Sequence, residues 1–486
     1  MSERLLHLLT YHSDEPMIFS SGLFLIVFLC FTFIYMLLQR TLNLRLLFVT
    51  AFSYYFYYKS SGLYFGLLAV VTLSDYFIAR RISVNKSKWL VTLSLLIDLG
   101  LLGYFKYTNF FAGMWAQMIG NNFQPWDIFL PVGISFFTFQ SMSYVIDVYR
   151  GDLKPLPSLL DYAFYVSFFP QLVAGPIVRA RDFAPQIRQP LEITTHMFAQ
   201  GCYFIAIGLF KKAVISDYIS LNFVDRIFDN PALYSGVENL LGIYGYTLQI
   251  YCDFSGYSDM AIGIALLLGF RFPMNFNAPY RSESITDFWR RWHISLSSWI
   301  RDYIYISLGG NRKGKLRQYI NLIITMLLGG LWHGASLNFV AWGGMHGVAL
   351  AVHKWLRENV FHHDKTYQST GLRWLLSVLL TFHFVAFCWI FFRNNTFEAS
   401  WVMITQVFMN FHPELFRQVV TGYWIVFAVM LFGYLTHFIP DSFQNLFVRV
   451  LERGSVVLCA LLIAAVIYLV IQVKSSEIQP FIYFQF

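Results

Sequence analysis

Charge is scarce in this chain. Asp, Glu, Lys and Arg make up 13% of its 486 residues, against 57% that are apolar. A water-soluble domain of this size cannot be that apolar, because its surface must meet water. No stretch is long and polar enough to form an appended soluble domain, so a single membrane domain over residues 1–486 is expected. Cysteine is sparse as well. Cys30, Cys202, Cys252, Cys388 and Cys459 lie within or beside apolar segments, and none forms a Cys-x-x-Cys pair. Disulfides and a zinc site are therefore not expected, and no metal ligand set is assigned. The N-terminus lacks the basic start and small-residue cleavage site of a secretory signal. Its first apolar run, Met17–Leu38, is expected to persist as a spanning helix. The stretch Gly309-Gly-Asn-Arg-Lys-Gly-Lys lacks the spacing of a phosphate loop. The net charge of +8 does not indicate nucleic acid. Lys and Arg sit between apolar runs, where topology signals and lipid headgroup contacts put them.

What is abundant is apolar and aromatic, with 51 Phe and 30 Tyr. Apolar runs recur near 44–58, 61–79, 89–105, 130–148, 160–178, 197–217, 236–270, 318–350, 373–393, 398–411, 421–438 and 455–474. A crossing needs about 20 residues. The pattern predicts an all-α, multi-pass membrane protein with about 11 spanning helices and re-entrant pieces buried in protein. Arg40 and Arg45 follow the first run, and Arg80, Arg81, Lys86 and Lys88 follow the third. Both clusters read as cytoplasmic. So does the densest one, Arg281, Arg290, Arg291, Arg301, Arg312, Lys313, Lys315 and Arg317. Lys211 and Lys212 break the alternation.

Two histidines stand out. His293 lies in Asp287-Phe-Trp-Arg-Arg-Trp-His-Ile-Ser, among tryptophans and arginines spaced as on an interfacial helix. A structural histidine on such a surface helix and a site residue both fit. His333 lies in Gly329-Gly-Leu-Trp-His-Gly, inside an apolar run. An imidazole at membrane depth must find a partner or face water. Either a hydrogen-bonded core histidine or a general base working near neutral pH satisfies that condition. His346, in Trp342-Gly-Gly-Met-His-Gly, echoes the His333 site. In one continuous helix the two would lie about 20 Å apart and could not serve one reacting atom. Asp253, Ser255, Tyr257, Ser258 and Asp259 form a polar island that would line a tunnel, pair with arginines or tie helices together. Asp98 and Asp147 read as lone intramembrane acids, and His362 and His363 as solvated loop residues. The aromatic close, Pro480 to Phe486, suits membrane anchoring or docking of a partner.

Several ordered motifs together resemble the membrane-bound O-acyltransferase family, and within it the bacterial alginate O-acetyltransferase branch. They are Phe105-Lys-Tyr-Thr-Asn-Phe, Pro131-Val-Gly-Ile-Ser-Phe-Phe-Thr-Phe-Gln and Phe169-Pro-Gln-Leu-Val-Ala-Gly-Pro-Ile, followed by Asp253-Phe-Ser-Gly-Tyr-Ser-Asp-Met-Ala-Ile-Gly. Phe272-Pro-Met-Asn-Phe-Asn-Ala-Pro-Tyr-Arg, Phe288-Trp-Arg-Arg-Trp-His-Ile-Ser-Leu-Ser and Leu331-Trp-His-Gly complete the set. The resemblance places a signature core at about 90–350 and leaves C-terminal helices at about 370–474.

The resemblance implies a tunnel fold and an O-acyltransferase. In it His333 is catalytic and His293 is the second signature residue. Trp332, Asp253, Ser255, Tyr257, Asp259, Arg290, Arg291 and Asn338 are expected as tunnel or support residues. It implies no bound cofactor. An acyl-coenzyme A or acyl-carrier-protein thioester would be the cytoplasmic donor, and the acyl group most consistent with this branch is acetyl. The setting would be the bacterial inner membrane, with an exported polysaccharide as acceptor. A periplasmic or surface-side acetyltransferase- or acetylesterase-like partner would load it. Carrier-dependent D-alanyl transfer to an envelope polymer is the alternative within the family. A transporter or silent scaffold is the alternative outside it; no internal repeat of the transporter kind is visible.

Overall fold

The computed structural model describes residues 7, 9–12, 16–362, 367, 369–473 and 481–482. Among them every regular element is a helix. Among the described residues five helices are long and apolar enough to cross a membrane, or six if the bent pair Pro413–Gly422 and Trp424–Phe438, which meet at 92°, forms one span. The structure is thus that of a multi-pass membrane protein, but this measure does not reach the expected count of about 11. The cause lies in the sequence. Helices such as Gly236–Leu267 and Lys315–His333 carry buried polar side chains, which lower their hydropathy, and Ile134–Arg150 has only 17 residues. The 160–178 segment is a nine-residue helix, Leu159–Ser167, followed by a kink and the single turn Phe169–Leu172. At about 13 Å long that helix cannot cross.

The chain divides into two compact units. The first comprises Met1–Ala206, Tyr257–Pro273 and Leu451–Ser455. Much of the phenylalanine content packs here. Phe169 is ringed by Phe19, Phe24, Phe28, Phe31, Phe52 and Phe56, with centroids 5.0 to 6.5 Å away. Between apolar helices in lipid, such close packing replaces the hydrophobic drive of a soluble core. Asp98 is not a lone acid in this unit. It is buried against Asp75, which accepts a hydrogen bond from Ser94 Oγ at 2.7 Å.

The second unit comprises Ile207–Gly256, Met274–Val450 and Val456–Phe486. Its central feature is a helical hairpin. The apolar run at 318–350 is not one helix but two, Lys315–His333 and Leu337–Asn359, joined by three residues. Glycine makes the crossing possible. A methyl group at Gly330 would overlap the Phe339 carbonyl oxygen, and one at Gly343 would overlap that of Met326. The two glycine Cα atoms face each other across the seam, where side chains elsewhere hold helices about 8–10 Å apart. His333 is the last residue of the first helix, and Gly334 turns extended beneath the Phe339 ring. His346 therefore lies on the returning arm and not farther along one rod.

The seam makes a testable claim. Gly330→Ala should destabilise the purified protein by about 1–3 kcal/mol through overpacking, seen as a lower thermal midpoint in detergent. Gly344→Ala, whose added methyl would meet only the flexible Leu327 side chain at 3.4 Å, should melt close to wild type.

Candidate active site

His293 occupies a break between two seven-residue helices, Ile285–Arg291 and Ile294–Ile300. The first starts at Ser284, whose side chain accepts from the Asp287 amide. This corrects the interfacial-helix expectation. His293 is fully buried, Trp292 and Trp299 are 1% exposed, and the segment is interior. The backbone at His293 is left-handed (φ 42°, ψ 56°), a conformation few residues other than glycine adopt.

Asn275 holds this break together. Its backbone carbonyl accepts from the Ile294 amide at 2.9 Å. Its Oδ1 accepts from the Ser295 amide at 3.2 Å and from Ser295 Oγ at 2.9 Å, and it lies 3.1 Å from His293 Nδ1. An amide N–H can only donate, so the atom facing it is the oxygen. His293 Nδ1 must then carry a proton, which leaves Nε2 as the basic nitrogen of the neutral ring. Burial pushes the His293 pKa down to about 3, so the ring stays neutral through the physiological range. Sequence reasoning quoted the motif containing Asn275 without singling that residue out.

His333 is buried among aromatic rings. Trp332, Trp342 and Phe392 surround it at centroid distances of 4.9, 5.0 and 5.2 Å, each roughly perpendicular to the imidazole. The Trp332 ring also lies 6.2 Å from His293, so both histidines approach the same indole. His346 is on the far side of Trp342, at 4.8 Å, and accepts a hydrogen bond from Trp289 Nε1 at 3.3 Å. Asn338 supports the hairpin tip: its Nδ2 donates to the Asn394 carbonyl at 2.6 Å.

The other expected support residues separate. Asp253 is buried and pairs with Lys212, not with an arginine, at 2.6 Å, and its Oδ2 accepts from the Ile482 amide at 2.8 Å. Lys212 is also bonded to Asp217 at 2.8 Å. It is buried and neutralised, so it carries no topology signal, and its misfit with the alternation of basic loops is resolved. Ser255 is buried nearby in sequence, while Tyr257 and Asp259 belong to the first unit. There Tyr257 stacks on Phe19. Arg291 is held by Asp287 at 2.8 Å, and Arg290 is exposed. Phe481 and Ile482 are 1% and 4% exposed, so these two residues neither anchor in lipid nor dock a partner. Pro480, residues 483–486 and His363 lie outside the described residues. Among the described residues no cluster of three or more His, Cys, Asp or Glu is suited to a metal ion.

Two histidines, one with its tautomer fixed and one in an aromatic cage, thus meet the same indole inside an apolar protein. Residues 90–353 match the model of the membrane-bound O-acyltransferase family. The chain is 44% identical to a protein named Probable alginate O-acetylase AlgI from Azotobacter vinelandii, over 81% of this chain and 78% of that one. A protein of the same name from Pseudomonas putida is 39% identical over 97% of this chain and its own full length. The Peptidoglycan O-acetyltransferase of Helicobacter pylori is 38% identical over 79% and 78% of the two chains. The chain belongs to the membrane-bound O-acyltransferase family and is an acyltransferase.

Two outcomes follow from the Asn275 clamp. His293→Asn, which tolerates a left-handed backbone, should remain more stable than His293→Val by about 1–2 kcal/mol, read as separated thermal midpoints. Asn275→Ala should cost about 1–3 kcal/mol, and Asn275→Asp, which keeps an acceptor, should recover part of that loss.

Proposed function

We propose that this protein is an inner-membrane O-acetyltransferase that moves acetyl from a cytoplasmic thioester, carried by coenzyme A or an acyl carrier protein, toward O-acetylation of an exported polysaccharide. His333 is the general base. It takes the proton of the acceptor hydroxyl as that oxygen attacks the thioester carbonyl. His293, with Nδ1 engaged by Asn275, orients or polarises the thioester. The observation that carries this reading is the Trp332 ring shared by the two histidines. It gives two imidazoles a common wall inside a chain of this family.

The hairpin supports a direction of transfer. The helix Lys315–His333 starts at the basic stretch Arg312, Lys313, Lys315 and Arg317 and ends at His333, roughly 27 Å away. With the basic end cytoplasmic, His333 lies toward the opposite face. A thioester would then donate from one side to a hydroxyl arriving from the other. A surface-side acetyltransferase- or acetylesterase-like partner would complete delivery to the polymer. About 11 crossings remain our count. Ile134–Arg150, Gly236–Leu267, Lys315–His333, Leu337–Asn359 and Gly22–Leu37, the first four turning polar side chains into protein, join Leu42–Val84, Lys88–Met118, Thr195–Asp229, Gly371–Arg393, Val456–Val473 and the bent pair.

The decisive experiment measures acetyl on the cell-surface polysaccharide, with membrane levels of each variant matched. His333→Ala should lower acetyl content by about 100-fold or more, and His293→Ala by about 10- to 100-fold. His346→Asn, which keeps an acceptor for Trp289, should retain it. Full acetylation with His333→Ala removes that residue as the base. No acetyl change on deleting the gene points to another acyl group, such as D-alanyl.

A further inference from the structure

The helix Asp441–Arg453 takes no part in the site described above. Ile439 and Pro440 separate it from Trp424–Phe438, the second arm of the bent pair, and Gly454 alone separates it from the helix Ser455–Val473. That next helix contains the membrane-spanning stretch Val456–Val473, of mean hydropathy 2.9. At about 20 Å, Asp441–Arg453 is too short to cross a hydrocarbon core about 30 Å thick. Joined this closely to membrane helices at both ends, it stays at one face of the bilayer.

Its sides differ in a fixed order round the axis. Phe443, Leu446 and Val450, at i, i+3 and i+7, share one face and are 58, 52 and 49% exposed, with Phe447 on the same stripe at 38%. Val448 and Leu451, three residues apart on one edge of this stripe, are each 3% exposed and turn into protein. Asp441, Asn445 and Glu452 lie on the side opposite the stripe, and there Glu452 pairs with His196 at 3.2 Å. Arg449 and Arg453, three and seven positions beyond Leu446, border the stripe on its other edge, away from Val448 and Leu451. Both are exposed. Arg449 Nε donates to the Asn445 carbonyl at 3.2 Å, and among the described residues neither arginine is in an ion pair with a carboxylate. This is the order of a helix lying flat at a membrane surface. The apolar side faces acyl chains, the polar side faces water, one edge meets protein, and the other edge sits at headgroup depth.

We propose that Asp441–Arg453 is an in-plane membrane helix, and that Arg449 and Arg453 bind the phosphates of anionic phospholipids along its outer edge. The occupant follows from continuity. The adjoining span Val456–Val473 is only 11% buried in protein, so the lipid that covers it continues over the stripe of Phe443, Leu446 and Val450. The headgroup follows from the two arginines. They stand one turn apart with no carboxylate to neutralise them, and guanidinium groups bind phosphate oxygens in pairs of parallel hydrogen bonds.

The test uses full-length protein in liposomes of phosphatidylglycerol and phosphatidylcholine. Cys30, the exposed cysteine, is replaced by serine, and one introduced cysteine carries a nitroxide. Each labelled protein is required to melt within a few degrees of wild type. Labels at Leu446→Cys and Val450→Cys should be open to oxygen and shielded from a water-soluble nickel chelate, and labels at Asp441→Cys and Asn445→Cys the reverse. Stripe labels open to the chelate put the helix in water, and stripe labels shielded from both reagents put it under a second copy or another protein. Either result overturns the proposal, as does an Asn445→Cys label in hydrocarbon. A fluorophore at Val450→Cys, quenched by lipids with a nitroxide on the acyl chain, then reads the local headgroup. Phosphatidylglycerol should be preferred to phosphatidylcholine about tenfold or more, at about fivefold per arginine. Arg449→Gln combined with Arg453→Gln should abolish most of that preference and keep the depth pattern. Equal quenching by the two lipids, or a preference that survives the double substitution, overturns the phosphate site.

Discussion

The backbone contact between Gly330 and Gly343 governs the geometry of the second unit. Two helices in lipid gain little from burying apolar side chains against each other, since lipid tails are as apolar as leucine. Close packing must hold them, and here it is closest where neither helix carries a Cβ. That seam fixes the register of the hairpin, and the register allows only three residues between its arms. His333 is consequently delivered as the final residue of its helix, with Trp342 from the returning arm beside it and Phe392 completing the cage.

A second constraint follows from placing polar chemistry inside an apolar protein. Each buried charge or amide needs a partner, or folding carries the full penalty of desolvation. Lys212 meets this with two aspartates and Arg393 with Asp225. The left-handed break at His293 meets it through Asn275, which satisfies the Ile294 amide with its backbone and Ser295 with its side chain.

What the sequence makes legible is chemistry of residue type. Histidines and a polar island in apolar runs mark themselves by their cost, and the glycines around His333 announce a close approach. What it hides is backbone geometry and pairing. Nothing in Trp292-His293-Ile294 signals a left-handed residue, and the surrounding tryptophans look the same on an interfacial helix as in a core. Lys212 reads as a loop cation because its partners, Asp217 and Asp253, are in one case a turn away and in the other 41 positions on. Asn275 carries no acid–base chemistry, so composition gives no reason to select it. Hydropathy passes over the helices that build the site for a related reason: their polar faces lower the score. Phe481 and Ile482 are misread because an aromatic cluster has the same composition whether it meets lipid or protein.

The two histidines are not equivalent, and the difference bears on their roles. A general base must accept a proton and later release it, so its charged form has to be tolerable. At His293 that form is opposed by complete burial, and Asn275 already fixes which nitrogen holds the proton. Such a ring suits orientation and hydrogen bonding. At His333 three aromatic rings lie within 5.2 Å of the imidazole. Aromatic faces attract a cation within about 6 Å of their centroids, the range in which these three rings stand. In the roles we propose, this surrounding suits His333 to the reversible step and His293 to positioning the group it acts on.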